Sequence, residues 1–431
     1  MFNNIKKFVT DSFFMNNIDN ISYIVLLLTL FAAIVFNSEL IGLFALLFSF
    51  LMIFKSIFNK EKNNFNLENY ERVLIIFFLI VTLSLFASTL FKLSFHGYLK
   101  TLTYILFYFS CAIFFKDNKN KILPVFLFVS ALMSYEAIIA ILQNMSGVNE
   151  ISGWQDMSNL NPEEVVSRAY GTLKPYNPNL LAGYLLCGLS SFIYLILNYL
   201  KNNKKRIAGM FFILFLITLI AIIDTGCRGA YLGFLLFFPA LFIALINYIK
   251  EYFGGLSNIK KRYKNISIAS IFAILVFIFT NPAIIKRVES IFAFRADSSI
   301  SFRMNVYESV FRMFLDNFFL GIGVGNQNFR EIYGLYMKTG YDALGSYCVP
   351  LEIAVESGIF ALITFVLFLV LIFKKCFRVF KGNNINEKIL CFSVILMILA
   401  TMGHGLFDTI WFRPQVQILF WVNIAMLKTV K

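Results

Sequence analysis

Three arginines in short polar segments are the residues most able to bind a phosphate group. Arg168 opens the run R-A-Y-G-T, Arg228 stands within D-T-G-C-R-G, and Arg303 closes S-I-S-F-R. A guanidinium stays charged at every relevant pH, and its planar fork can donate to two phosphate oxygens at once. These arginines therefore predict a site for a phosphate or a diphosphate.

Two asparagines follow the first of these arginines. Asn177 and Asn179 flank Pro178 immediately before an apolar run. Asn-Pro is typical of a turn that leads into a helix, where backbone N–H groups can face an anion. The two side chains could bind a ligand there, or they could simply cap the helix.

Arg228 lies between two apolar runs that are separated by only a few residues. An arginine at the boundary of the hydrocarbon is costly and usually has a function. We expect Asp224 to be its partner. The alternative interpretation is a structural arginine that reaches the interface and pairs with that aspartate.

The segment around Arg303 predicts a helix with two faces. The apolar spacing over residues 306–314 indicates an amphipathic helix lying on the outer leaflet, with Arg303 on its polar face and Arg312 as a second candidate for substrate binding. Three glycines follow over residues 321–325. We interpret them as a tight turn rather than a phosphate loop, because no strand precedes them and no Gly-Lys-Ser follows.

A histidine and an aspartate near the C-terminus could supply a general base. His404 and Asp408 are four residues apart and would share one helical face, with Arg413 nearby as a binding candidate. A structural histidine bonded to a neighbouring helix is the alternative. The chain has only two histidines and no Asp-x-Asp pair, so we predict neither a metal nor another cofactor.

The elements that position these residues must be membrane-spanning helices. The chain is 59% hydrophobic and 14% charged, whereas soluble domains are about a quarter charged. Its uncharged runs reach the roughly 20 residues that a helix needs to cross the hydrocarbon, and lipid forces such segments to be helical. We predict an all-α polytopic integral membrane protein of about twelve helices. The predicted spans are 21–37, 40–58, 73–91, 99–115, 122–142, 180–199, 207–223, 229–249, 266–285, 351–373, 389–404 and 412–428.

Lysine and arginine are distributed unevenly between the alternating loops. Both termini and every second loop together hold 25 of the 38, and the short loops on the other side hold 6. The positive-inside rule then predicts a cell-membrane protein with both termini cytoplasmic. We interpret the net charge of +14 as a result of this topology and of attraction to anionic lipid headgroups. The sequence lacks the interleaved arginines and aromatic residues of a nucleic-acid binder, so we predict no nucleic-acid partner.

We predict a single membrane domain over residues 1–431 with two working loops outside the cytoplasm, 143–178 and the larger 286–350. The first twenty residues are polar and lack the features of a cleavable signal, so the first helix is expected to be retained. The six cysteines suggest neither a disulfide framework nor a zinc site.

Taken together, these motifs and loops resemble the O-antigen ligase and polymerase superfamily over roughly residues 150–425. The motifs are R-x-Y-G-T followed by N-P-N-x-L-A-G, R-x-x-x-L from Arg228, S-F-R at 301–303 and G-I-G-V-G-N. The resemblance implies a metal-independent, inverting glycosyltransferase of polysaccharide biosynthesis. It would move or polymerise a glycan from an undecaprenyl-diphosphate carrier onto a glycan or cell-envelope acceptor, on the outer face of the cytoplasmic membrane.

Two further segments resemble one branch of that superfamily, the proteins once linked to cyanobacterial inorganic-carbon accumulation. They are H-G-L-F-D-T-I-W-F-R-P-Q-V-Q and S-Y-C-V-P-L-E-I-A-V-E-S-G. Ligases place a catalytic histidine ahead of a glycine that corresponds to Gly358, and Tyr347 and Cys348 stand there instead. Tyr347 thus becomes a binding candidate, and Glu352 a catalytic candidate behind His404.

Two other functions remain open at this point. One is a transporter of a small anion such as bicarbonate, which could use the same arginines but would be expected to show related halves with broken helices. The other is a non-catalytic partner in envelope assembly, which loss of the family histidine would favour.

Overall fold

A computed structural model describes residues 12–58, 66–146, 168–253 and 298–430, and the regular elements of these residues are helices. After a single turn at Phe13–Asn16, the helices are α1 (Ile18–Val35), α2 (Ser38–Phe58), α3 (Asn69–Ala87), α4 (Phe91–Asp117), α5 (Ile122–Ser146), α6 (Pro178–Lys201), α7 (Lys205–Asp224), α8 (Arg228–Phe253), α9 (Ser298–Asp316), α10 (Asn326–Tyr333), α11 (Val349–Phe380), α12 (Ile385–Gly405) and α13 (Pro414–Met426). The predicted all-α class is confirmed.

Nine helices of the described residues are long and apolar enough to cross a membrane: α1 to α7, α11 and α12. The polytopic prediction is therefore confirmed, while the count of twelve stays a prediction. The predicted span 266–285 lies outside the described residues, and the described apolar part of α8 ends at Ile243. Helix α13 has only 13 residues, all of them buried; a 3₁₀ turn follows it directly, and another precedes it across the extended residue Arg413.

Helix α6 lies at the centre of the bundle. It packs against α5, α7, α8, α12 and α13, and 89% of its most apolar stretch is buried within the protein. Its interior is rich in small residues, among them Gly183, Gly188, Ser190 and Ser191. Small side chains let membrane helices approach closely, so this composition suits a helix enclosed by other helices rather than by lipid.

Helix α11 is broken at Gly358, whose φ of +81° is left-handed. The predicted turn at 321–325 fits against this break, since Ile322 and Gly323 donate their N–H groups to the carbonyls of Val355 and Glu356. A side chain at Gly358 would meet the carbonyl of Phe319. The three glycines thus form a tight turn, as predicted, and that turn satisfies the backbone groups that the break leaves open.

The amphipathic helix predicted around Arg303 is α9. Its predicted apolar face, Val306, Val310, Met313 and Phe314, is buried. That face packs on the protein, against α11 and residues of α10, and not on the outer leaflet as predicted. The reason is that α10 and the start of α11 supply enough apolar surface to cover it.

Two ends of the bundle differ in their charged residues. At one end, here called the lysine end, Lys55, Lys375 and Lys428 pair with carboxylates on other helices, and Lys119 donates to the carbonyl of Thr429. The other end, here called the arginine end, holds Arg168, Arg228 and Arg303, where α6 and α8 begin and α7 and α12 end. Both described termini of the chain lie at the lysine end. Which end faces the cytoplasm stays a prediction.

Candidate functional site

Arg168 is held by two separate elements. Its Nε donates to the carbonyl of Thr225 over 2.8 Å, and its Nη2 donates to Oδ1 of Asn179 over 2.6 Å. The N–H of Ala169 also donates to the carbonyl of Asp224 over 3.1 Å. The loop between α7 and α8 and the first turn of α6 together fix this guanidinium.

The residues after Arg168 are fastened to the last turns of α5. Gln143 accepts from the N–H groups of Tyr170 and Gly171 and donates back to the Gly171 carbonyl. Glu136, fully buried, accepts from the N–H and the hydroxyl of Thr172. Sequence reasoning missed both residues, although a glutamate inside an apolar run is a costly feature that could have drawn attention to Glu136.

The two asparagines have different roles. Asn177 caps α6, because its Oδ1 accepts from the N–H of Asn179 over 2.8 Å and Pro178 occupies the first helical position. Asn179 instead uses its side chain in the site, and its Nδ2 donates to Oδ2 of Asp408 over 2.9 Å. Asn179 therefore joins Arg168 to Asp408, which lies 229 residues away in the chain.

Asp408 lies between Asn179 and Arg303. It is 4% exposed, its Oδ1 accepts from the N–H of Thr409, and its Oδ2 is 3.9 Å from Nη2 of Arg303. At that distance the two charges attract, but no direct hydrogen bond joins them. Within the described residues Arg303 donates no hydrogen bond, and its side chain is 23% exposed. Its fork is therefore available to an anionic ligand.

Two tyrosines border Arg303. The guanidinium carbon lies 5.7 Å from the ring centre of Tyr347, a distance suited to a cation–π contact, and the Tyr307 hydroxyl donates to the Tyr347 carbonyl. Burial, and secondarily the charge of Asp408, raises the pKa of Tyr347 to about 12, and burial raises the pKa of Tyr307 to about 12. Both are neutral phenols at physiological pH. Tyr347 can therefore donate a hydrogen bond to a ligand, but it cannot act as a base.

The prediction that His404 and Asp408 share one helical face is wrong. Helix α12 ends at Gly405, so the two residues do not share a helical face. Within the described residues, the one hydrogen-bond contact of the imidazole is with Cys227, whose Sγ lies 3.4 Å from Nε2. His404 is 2% exposed and belongs to the packing between α6, α8 and α12.

Glu352 lies in the first turn of α11 and is 3% exposed. Its carboxylate accepts from the N–H of Ser346. A side chain added at Gly345 would come within 3.1 Å of the same carboxylate. Glu352 therefore holds the short segment that carries Tyr347.

The remaining candidate arginines are placed as follows. Arg228 is the first residue of α8, half-buried and next to Cys227. Arg312 is exposed and pairs with Glu308 one turn earlier on α9. Arg413 precedes α13 and is half-buried. No hydrogen bond or ion pair within the described residues joins Arg312 or Arg413 to Asp408 or Arg303.

Comparison with known families gives a match over part of the chain. Residues 211–366, which run from α7 into α11, match the family model described as O-antigen ligase. No curated protein matches the chain. The matched segment contains Arg228, Arg303, Tyr347 and Glu352, and it supports a membrane glycan-processing function with a glycosyl-transferring activity. It does not distinguish between branches, so the branch named above stays a prediction. This partial match supports the resemblance to the O-antigen ligase and polymerase superfamily.

Proposed function

We propose that this chain transfers a glycan from an undecaprenyl-diphosphate carrier to a glycan or other envelope acceptor, on the outer face of the cytoplasmic membrane. The observation that supports this most strongly is the series Arg168, Asn179, Asp408 and Arg303, in which each residue contacts the next. Two guanidinium groups can bind a diphosphate, and a carboxylate between them can accept a proton. Both are needed for transfer from such a carrier.

In the proposed reaction an acceptor hydroxyl attacks the anomeric carbon of the carrier-linked sugar. The new C–O bond forms as the bond from that carbon to the diphosphate oxygen breaks, which inverts the anomeric configuration. The electron pair of the broken bond stays on the diphosphate, and Arg168 and Arg303 stabilise the charge that grows there. The acceptor proton passes to a carboxylate, and polyprenyl diphosphate is released.

Asp408 is the proposed base. It is within 3.9 Å of Arg303, so an acceptor hydroxyl that it contacts would lie beside the bound diphosphate. Asn179 and the N–H of Thr409 hold both of its oxygens in place. Glu352 is the second candidate, and His404 ranks below both because its imidazole is buried against Cys227. Arg228 is proposed as a third contact to the diphosphate from the start of α8.

The test uses purified protein in lipid nanodiscs and two measurements. Binding of polyprenyl diphosphate is compared with binding of polyprenyl monophosphate by native mass spectrometry. Transfer is then followed with carrier-linked glycan extracted from a strain that lacks this chain. We expect the diphosphate to bind at least tenfold more tightly and the glycan to leave the carrier. Equal binding of the two lipids, with no transfer, would contradict the proposal.

Within the described residues, the broken helix α11 is the feature that favours an anion transporter. Broken helices form ion sites when their open backbone groups line a cavity. In α11 those groups are bonded to the turn at 318–323, with the N–H of Ile359 donating to the carbonyl of Phe318. The break is therefore filled by protein. Bicarbonate flux into proteoliposomes above that of empty vesicles would revive the transporter, and intact transfer would exclude a purely non-catalytic role.

A further inference from the structure

The imidazole of His404 occupies a slot with glycine walls. A Cβ atom at Gly183 of α6 would lie 3.1 Å from its Nδ1, and a Cβ atom at Gly229 of α8 would lie 2.7 Å from its Cδ2. Two helices thus approach the ring so closely that a side chain at either position would require a shift. Packing alone therefore fixes the orientation of the ring.

Cys227 closes this slot from the loop between α7 and α8. Its Sγ is 3.4 Å from Nε2 of His404, and the thiol is 2% exposed. Either group can donate in this contact, depending on the tautomer of the ring. The other buried cysteines of α4 and α6, Cys111 and Cys187, lie inside spans and have no imidazole neighbour among the described residues.

The same loop carries the contacts of Arg168. The N–H of Cys227 donates to the hydroxyl of Thr225 over 3.2 Å, and the carbonyl of Thr225 accepts from Nε of Arg168 over 2.8 Å. Arg228 is the next residue in the chain. Cys227 is therefore linked to Arg168 through Thr225 and to Arg228 through the backbone. Both arginines are candidates for binding the diphosphate.

These contacts form a closed path. From His404 the path runs through Cys227 and Thr225 to Arg168, then through Asn179 to Asp408, and from there along three intervening residues back to His404. We propose that Cys227 is a positioning residue: its contact with His404 locks the loop that orients Arg168 and Arg228 toward the diphosphate. The predicted effect on transfer kinetics rests on the proposed function, whereas the locking of the loop does not.

The experiment compares Cys227→Ala and Cys227→Ser with Cys111→Ala as the matched control. Cys111 is also fully buried, but it lies in α4 and has no polar contact within the described residues. Hydrogen exchange of residues 224–230 is measured for each purified variant, with the thermal transition as a check on folding. KM for the carrier-linked glycan and kcat are measured in parallel.

Cys227→Ala should speed exchange in residues 224–230 about tenfold and lower kcat/KM about tenfold, the size of one lost hydrogen bond. Cys227→Ser keeps a donor and an acceptor and should restore both values. Adding His404→Gln to Cys227→Ala should change exchange little further, because the contact is already lost in Cys227→Ala.

Unchanged exchange in Cys227→Ala would overturn the inference even if transfer fell. Equal effects in Cys111→Ala and Cys227→Ala would also overturn it, because they would show a general packing defect. If the wild type transfers no glycan, the proposed function fails, and the exchange measurement still decides whether Cys227 locks the loop.

Discussion

The lysine end and the arginine end of the bundle solve the problem of charge in different ways. At the lysine end, ammonium groups form ion pairs within the protein: Lys55 lies 2.7 Å from Asp19 and 2.8 Å from Asp117, and Lys428 is paired with the fully buried Glu71. At the arginine end, Arg303 lies 3.9 Å from Asp408 without a direct hydrogen bond to it, and Arg168 donates to the carbonyl of Thr225 and to the amide oxygen of Asn179.

The difference teaches how a site can be recognised where charge is plentiful. A lysine whose ammonium group already pairs with carboxylates at hydrogen-bond distance has few donors and little unpaired charge available for a ligand. Arg303 makes no such direct ion pair within the described residues, so its planar fork can still bind an anion. The number of basic residues alone would have pointed away from the candidate site, because more of those in the described segments lie at the lysine end.

The largest expected effect concerns which end faces outward, since the result is all or none. Gln327 follows the turn at the arginine end and is exposed, and Lys204 is exposed between α6 and α7 at the lysine end. Cysteine at 327 should react with a membrane-impermeant thiol reagent in intact cells, and cysteine at 204 should not. Cys348, which is less buried than the other five native cysteines, is first replaced by serine. The reverse labelling pattern would remove the outer-face assignment.

Asp408→Asn should have the next largest effect. The amide keeps the contact with Asn179 but cannot accept a proton, so transfer should fall by about 10²–10⁴-fold, the usual worth of a positioned base. Binding of polyprenyl diphosphate should remain. Asp19→Asn at the lysine end is the control and should transfer normally per folded molecule. If Asp408→Asn is active and Glu352→Gln is not, the base is Glu352.

Exchanging arginine and lysine tests the comparison directly. Arg168→Lys and Arg303→Lys keep the charge but lose the fork, so each should weaken diphosphate binding by about 10–100-fold, the size of one charge-assisted hydrogen bond. Lys55→Arg at the lysine end should leave binding unchanged. The measurement is the affinity for polyprenyl diphosphate in nanodiscs. Wild-type affinity in both lysine variants would mean that the guanidinium geometry is not used.

The lysine end should instead respond in stability. Lys428→Met leaves Glu71, which is 0% exposed, without its ion-pair partner, and breaking a buried pair in this way costs about 3–5 kcal/mol. Joining it with Glu71→Gln should recover most of the loss. Thermal unfolding in detergent gives the stability, and transfer per folded molecule should match wild type. A loss of transfer with unchanged stability would assign function to this end.

Much of this arrangement could be predicted from sequence because it depends on local pattern. Apolar length gives the all-α membrane class, and the 306–314 spacing gives the buried face of α9. The pairing of His404 with Asp408 failed because it assumed that α12 continues, whereas the helix ends at Gly405. Two contacts that build the site join segments far apart in the chain: Asn179 with Asp408, 229 residues apart, and Arg168 with Thr225, 57 residues apart. No local pattern encodes them.

The smallest effect is expected at Tyr347, which borders the arginine end without supplying a charge. Because burial raises its pKa to about 12, the phenol is neutral throughout the range in which transfer can be measured. Tyr347→Phe keeps the ring over Arg303 and should change transfer less than threefold between pH 6 and about 9, with no change in the shape of the pH profile.

The stability of the protein should respond to Tyr347→Phe only at alkaline pH. In the unfolded chain the tyrosine ionises near pH 10, whereas in the folded protein it holds its proton to about 12, so the wild type loses stability as pH rises from one value to the other. Tyr347→Phe should lack this part of the alkaline loss. An alkaline limb of the transfer profile below pH 9 that disappears in Tyr347→Phe would instead make the phenolate a participant, and the arginine end would then have an ionisable group that its geometry does not predict.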